Sequence, residues 1–138
     1  MVKGRRSAMT ELDSLVTKQF VEYRENILKT FKEKHPYVVG MLETVFAGKE
    51  NRVGLQVTDS GKVLGEYTFV VTGIQLSGTE AGSLNSSLKH PLLGITIKPY
   101  ILIEKEVLEK MIKDESYKED LLGYITRALP DITVKFLP

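Results

Sequence analysis

The stretch that decides the fold, residues 51–76, reads NRVGLQVTDSGKVLGEYTFVVTGIQL. It contains two runs, residues 53–57 and 63–71, in which apolar residues recur at every second position. That period is typical of β-strands with one buried face. The residues between the runs favour a tight reversal, because Asp59 bonds locally to the backbone and Gly61 accepts a positive φ. The stretch therefore predicts an antiparallel hairpin.

The second run of this hairpin also carries apolar residues on its other face. Leu64 and Val70 alternate with the main apolar positions, so neither face is wholly polar. We therefore expect this strand to be central in its sheet and to be covered, at least partly, on both sides. Ile74 and Leu76 can continue into a third strand.

Two helices are predicted before the hairpin. From Thr10 to Phe31, apolar residues recur at three- and four-residue spacing and form one stripe of a long helix. Pro36 ends this helix and suits the first turn of the next one. Gly48 is expected to close the second helix in a left-handed conformation. This second helix is apolar over most of its surface, so we expect it to be deeply buried or to line an apolar space.

A loop and a further strand are predicted after the hairpin. Residues 77–90 are rich in Gly, Ser and Asn and have no apolar period, which indicates a long exposed loop. Residues 93–98 are predicted to form the next strand, which Pro99 interrupts. The apolar residues 100–103 then form a link into the third helix.

Two more helices and a last strand complete the prediction. Glu104 and Glu106 lie in the first turn of the third helix, where negative charge is favourable. Ser116 and Glu119 match a capping box that opens the fourth helix. Apolar and polar residues alternate over residues 132–136, which predicts a returning strand.

This order of elements indicates the α+β class. The expected architecture is a mainly antiparallel sheet of about five strands with helices packed on one face. Two helices are N-terminal and two precede the last strand. A length of 138 residues corresponds to one domain. We predict a flexible tail over residues 1–9 and a single domain over residues 10–138.

The composition excludes several kinds of site. The chain has no cysteine, so disulfides, thiol catalysis and thiolate metal sites are excluded. His35 and His90 lie outside any cluster at metal-ligand spacing, so neither a metal nor a cofactor is predicted. A net charge of +1 gives no electrostatic argument for nucleic acid as a partner. Without a membrane-spanning run or a secretory pattern, the expected location is cytoplasmic.

No catalytic arrangement emerges from the sequence. The serines lack a nucleophile-elbow context, and Glu104, Glu106 and Glu109 look like a helix start and a solvated face. Tyr67 and Phe69 alternate on one strand face, but basic residues do not flank them as in an RNA-binding sheet. We therefore do not predict an enzyme.

The run from about residue 51 to residue 111 resembles the sterol carrier protein 2 (SCP2-like) family. The family's hairpin has the form V-x-L-x-V-T-D-x-G-K-x-x-G-x-Y-x-F-x-V, which residues 53–71 match. In this family, as in the predicted elements here, a strand then leads into a short helix, and a further helix and a final strand follow. The resemblance implies a lipid- or sterol-binding module with an apolar tunnel between the sheet and the helices.

Under this resemblance, the tunnel wall is expected to come from apolar side chains of the helices and the hairpin. The candidate ligand-binding residues are Val39, Leu42, Phe46, Tyr67, Phe69, Met111, Leu122 and Ile125. The expected partner is an apolar small molecule such as a lipid, a fatty acyl chain or a sterol. A filled core explains the same residues equally well, because protein interiors are normally close-packed.

The alternative function is protein–protein interaction without a small ligand. The long first helix and the sheet edge offer a surface for a homodimer or an adaptor. Exposed apolar residues outside the main helical stripe, such as Val21 and Leu28, would favour this hypothesis.

Overall fold

The structure is a computed structural model that describes residues 11–89 and 93–138. In chain order the elements are α1 (residues 11–34), α2 (Pro36–Val45), β1 (Glu50–Asp59), β2 (Lys62–Thr72), β3 (Gln75–Ala81), β4 (Leu88–Lys89), β5 (Thr96–Ile97), β6 (Pro99–Glu104), α3 (Lys105–Lys113), α4 (Leu121–Ala128) and β7 (Thr133–Phe136). Within α1, Leu15–Phe20 is π-helical and Val21–Lys34 is α-helical. The predicted tail, the predicted cap Thr10 and His90 lie outside the described residues.

The main sheet has five strands in the order β3-β2-β1-β6-β7. Strand β6 pairs parallel to β1, and the other neighbouring pairs are antiparallel. The α+β class and the five-stranded sheet are thus confirmed, and the sheet is mixed rather than purely antiparallel. Strands β4 and β5 form a separate two-stranded ladder.

The predicted hairpin is confirmed as β1 and β2. Its reversal uses positive φ angles at Ser60 (53°) and Gly61 (83°), the conformation that a two-residue hairpin loop requires. The pairing runs from Glu50 opposite Thr72 to Val57 opposite Gly65, and then shifts register. The central position predicted for β2 is also confirmed, since β1 and β3 flank it.

Glu104, at the end of β6, ties this hairpin to the start of α3. Its carboxylate accepts hydrogen bonds from the Thr58 hydroxyl, from the Ser60 amide at 2.7 Å and from the Gly61 amide at 3.3 Å. The Thr58 hydroxyl and then these amides favour the charged form and hold the pKa of Glu104 below its ordinary value of 4.5.

Glu104→Gln is expected to lower the melting temperature at neutral pH, because an amide cannot accept all three of these hydrogen bonds. The folded state depresses the pKa of Glu104, so its stabilisation is complete above the unfolded pKa and disappears as pH falls through the folded one. The melting temperatures of the unchanged protein and of Glu104→Gln, measured from pH 7 downward, should therefore become equal in acid. Glu106→Gln is the control, since Glu106 is exposed and its carboxylate lies 3.7 Å from the ammonium of the exposed Lys110. A difference in melting temperature that stays the same at all pH values would contradict this role of the Glu104 carboxylate.

Two apolar clusters pack the helices. The inner cluster joins the sheet to α1 and α3, and its buried members are Leu15, Val16, Leu55, Val57, Tyr67, Phe69, Ile103 and Leu108. The outer cluster joins α1 to the segment that contains α4, and its buried members are Tyr23, Tyr117, Leu121 and Tyr124. The hydroxyls of Tyr23 and Tyr124 share a hydrogen bond inside the outer cluster.

The other face of β1 and β2 is covered by residues 83–89, which we call the strap. Thr68, which is fully buried, donates to the carbonyl of Ser83 at 2.9 Å and accepts from the amide of Asn85 at 2.8 Å. Farther along, Arg52 and Ser87 exchange two backbone hydrogen bonds of 2.8 and 2.9 Å. The strap therefore accounts for the complete burial of Thr68 on the face of β2 opposite the inner cluster.

Two predictions about the strands are wrong. Residues 77–81 belong to β3 and not to a loop. The strand predicted over residues 93–98 is limited to Thr96–Ile97, and the predicted link over residues 100–103 belongs to β6, which pairs with β1. Pro99 begins β6 because a missing amide is tolerated at the first residue of a strand. The unbroken apolar run that follows suits a strand that is covered on both faces.

Predictions about the helix ends are partly right. Helix α1 ends at Lys34 and α2 begins at Pro36, and Gly48 has the expected positive φ of 71°. The capping box at Ser116 is wrong, because Ser116–Lys118 is a separate 3-10 turn. The N-cap of α4 is Asp120, whose carboxylate accepts from the amide of Gly123 at 3.1 Å.

Candidate functional site

A cleft of about 450 Å³ opens where the first turn of α1 crosses the start of β2. We call it the α1–β2 cleft. Its apolar lining consists of Leu12, Leu64, Gly65, Tyr67, Ala81 and Gly82. This volume falls within the range of small-molecule sites, which is roughly 300–1,000 Å³.

The floor of the cleft depends on a glycine. A Cβ atom on Gly65 would lie 2.8 Å from Leu12 Cδ2 and 3.2 Å from the Tyr67 ring, so a side chain at this position would require Leu12 or Tyr67 to shift. The Tyr67 hydroxyl donates to Asp13 Oδ1 at 2.7 Å. Burial first and this hydrogen bond second raise the pKa of Tyr67, so its hydroxyl stays protonated at neutral pH.

One wall of the cleft is a part of β2 that extends beyond β3. The last pair between these strands is Tyr67 with Ala81, after which the amide of Gly82 donates to the carbonyl of Glu66 at 2.8 Å. Residues 62–65, at the start of β2, therefore have no partner in β3. A register shift against β1 leaves Leu64 as the extra residue of a β-bulge, with its side chain 42% exposed. Bulges re-aim side chains, and this one brings Leu64 to the cleft.

The charged lining of the cleft is mostly acidic. It consists of Glu11, Asp13, Asp59, Glu66 and Lys105. Glu66 Oε2 accepts from Gln56 Nε2 at 2.8 Å. Lys105 Nζ lies 3.5 Å from Glu109 Oε2, a carboxylate outside the cleft lining. The cleft thus combines an apolar floor with a net negative charge.

The eight residues predicted from the sequence do not line one cavity. Tyr67 lines the cleft, and Phe69 belongs with Tyr67 to the inner cluster. Met111 packs against both clusters and Ile125 against the outer one. In α2, Val39 is buried and Leu42 and Phe46 are half-buried, whereas Leu122 of α4 is 60% exposed.

Sequence reasoning missed the other apolar residues of the cleft. The sequence pattern places Leu12 in the apolar stripe of the first helix and Leu64 on the second face of β2. The signal present in the sequence is Gly65, because a glycine inside a strand often marks a close approach of another segment. Ala81 lay within the region predicted as a loop.

A second surface of interest lies on α2. Tyr37, Met41 and Val45, which follow one another at four-residue spacing, are 92%, 59% and 37% exposed. The expected deep burial of this helix is therefore wrong, since Val39 is its buried residue.

Exposure of Val21 and Leu28 would favour a partner surface on α1. Val21 packs against the inner cluster, and Leu28 is half-buried. Exposed apolar side chains therefore point to α2, and not to α1, as the surface available to a partner.

Comparison with known proteins gives no match to any family model, and no significant match to a curated protein or a solved structure. The fold and the cleft therefore define the protein only as an α+β protein with an apolar cleft. The resemblance to the SCP2-like family stays a prediction from the sequence pattern.

The described part of the chain contains neither a membrane-spanning helix nor a cluster of metal-ligating side chains. None of its helices is both long enough and apolar enough to cross a bilayer. Within the same residues, no group of three or more His, Cys, Asp or Glu side chains is placed to hold a metal ion.

Proposed function

We propose that the protein is a non-enzymatic, cytoplasmic binding protein for an apolar small molecule, which the α1–β2 cleft holds. The observation that supports this proposal is the cleft itself, with its apolar floor of Leu12, Leu64 and Tyr67. The sequence resemblance to a lipid-binding family points in the same direction. The site differs from the predicted tunnel wall, with which it shares Tyr67.

Binding would be driven by the removal of apolar surface from water. Each Å² of apolar surface that leaves water contributes about 25 cal/mol, before the costs of association are subtracted. The partly exposed Leu64 side chain would lose much of its contact with water in the complex. The Tyr67 hydroxyl, held by Asp13, would keep its ring in place as part of the floor.

Filling the cleft is expected to abolish binding without affecting the core. Ala81 pairs with Tyr67 and shares its sheet face, so its side chain points toward the cleft. Ala81→Phe should therefore place a ring in the space of the ligand and weaken binding of the neutral dye Nile red by about ten-fold or more. Fluorescence titration of the purified protein measures this change.

The matched control is Gln75→Phe, which adds the same ring to an exposed position at the other end of β3. This variant is expected to bind Nile red like the unchanged protein. Equal binding by Ala81→Phe and the unchanged protein would contradict the assignment of the ligand to the cleft.

A second candidate function is interaction with another polypeptide through α2. It is favoured by the exposed stripe of Tyr37, Met41 and Val45, because contiguous apolar patches often mark interaction sites. The mass of the native complex distinguishes the two candidate functions. A binding protein carries the added mass of a small molecule, whereas an interaction module carries the added mass of a polypeptide.

A further inference from the structure

We infer that the ligand of the α1–β2 cleft is an apolar molecule with a positively charged amine, rather than a fatty acid or another anionic lipid. This inference rests on the proposed function and adds the chemistry of the polar end of the ligand. It is carried by the contrast between the apolar floor and the charges around it.

Negative charges outnumber positive charges in the lining of the cleft. Four carboxylates, those of Glu11, Asp13, Asp59 and Glu66, share the cleft with the ammonium of Lys105. The positive charge is already matched outside the cleft, because Lys105 Nζ lies 3.5 Å from Glu109. A carboxylate on the ligand would therefore be surrounded mainly by like charges, and an ammonium by opposite ones.

Hydrogen bonding favours the same polarity. Among the described lining residues, Tyr67 carries the hydroxyl, and its proton is already directed at Asp13. The Gly82 amide is likewise engaged by the carbonyl of Glu66. Carboxylates only accept hydrogen bonds when ionised, so a ligand that donates is matched by four side chains of the described lining, whereas a ligand that accepts is matched by the ammonium of Lys105.

The positions of the apolar and the charged residues in the cleft determine where the amine of the ligand lies. The apolar residues Leu12 and Leu64 meet at Gly65, where an alkyl chain finds its contacts. Glu11 and Asp59 are exposed and lie at the outer ends of α1 and β1. An alkyl chain on the floor therefore places its amine at the rim, where the charge keeps part of its water.

The test compares three molecules that share an octyl chain: octylamine, octanol and octanoate. Each is titrated against the complex of the full chain with Nile red at neutral pH and low salt. Octylamine is expected to displace the dye at a concentration about ten-fold lower than octanoate, with octanol between them. Added salt should narrow the difference.

Asp59→Asn combined with Glu11→Gln removes two carboxylates that have no assigned role in the floor of the cleft. This double variant should lose most of the preference for octylamine while it binds octanol as before. The control pair, Glu43→Gln with Glu106→Gln, changes two exposed carboxylates outside the cleft lining and should keep the preference.

A further variant, Lys3→Gln with Arg5→Gln and Arg6→Gln, addresses the basic residues that precede Glu11 in the sequence and lie outside the described part. The preference for octylamine should be kept or increased in this variant. Its loss would overturn the inference, because the selectivity would then depend on the basic residues.

The inference is also overturned if octanoate displaces the dye at the same or a lower concentration than octylamine, or if the double variant keeps the full preference. Binding of octanol without selectivity between the charged molecules would leave the proposed function standing and remove the inference. Failure of all three molecules to displace the dye would overturn both.

Discussion

Replacement of Gly54 by alanine is expected to lower the free energy of unfolding by about 2–3 kcal/mol. Gly54 lies in β1, between Thr68 of β2 and Tyr100 of β6. A Cβ atom at this position would lie 2.7 Å from Tyr100 Cβ and 2.9 Å from Leu84 Cδ2. The first contact is with a rigid atom close to the backbone, so β6 or the strap would have to move.

Gly78→Ala is the matched control for this substitution. Gly78 is also a strand glycine, but a Cβ atom there would lie 3.8 Å from Val70 Cβ, an ordinary contact. Alanine at position 78 should leave stability unchanged or raise it slightly, because glycine costs conformational entropy in a strand. Urea unfolding of the two variants measures the difference. Equal midpoints would contradict the packing of Leu84 on β1.

Thr68→Val is expected to destabilise the fold by about 2 kcal/mol, although valine has nearly the same shape as threonine. The substitution removes the partner of two backbone groups, the amide of Asn85 and the carbonyl of Ser83. Both groups belong to the strap, so hydrogen exchange at the Asn85 amide should become faster in the variant.

Thr72→Val tests whether this loss depends on burial. Thr72 lies on the same strand and the same sheet face as Thr68, but it is exposed, and its hydroxyl contacts only the Ser77 hydroxyl at 2.9 Å. Its replacement should change stability by less than about 0.5 kcal/mol. If both valine variants were equally stable, the strap would not be held by Thr68.

Local signals in the sequence predicted the parts of the fold that depend on neighbouring residues. The hairpin followed from its alternation and from the turn at Gly61, which has the positive φ that the turn needs. The boundary between α1 and α2 followed from Pro36, because proline disfavours helical geometry in the residue before it. These features require no knowledge of distant contacts.

Features that depend on pairing between distant segments were missed. The parallel pairing of β6 with β1 joins residues 54–58 to residues 100–104, and an apolar run after a proline does not reveal its partner. The exposure of Tyr37 and Met41 could not be inferred either, because composition identifies an apolar helix but not what covers it.

The cleft was missed for the same reason. It exists because β3 ends opposite Tyr67 while β2 continues, and because a bulge turns Leu64 toward Leu12. Both are consequences of strand register. Of the eight residues predicted to bind a ligand, Tyr67 lines the cleft.

Native mass spectrometry of the freshly purified protein shows whether the chain carries a small molecule. The expected spectrum contains the mass of the 15.5 kDa chain together with an apolar small molecule that solvent extraction removes. Ala81→Phe should show the chain alone, and Gln75→Phe should keep the added mass. An unchanged protein that shows only the mass of the chain and takes up neither Nile red nor octylamine would contradict the proposed function. A mass of two chains without a small molecule would assign the function to the exposed stripe of α2.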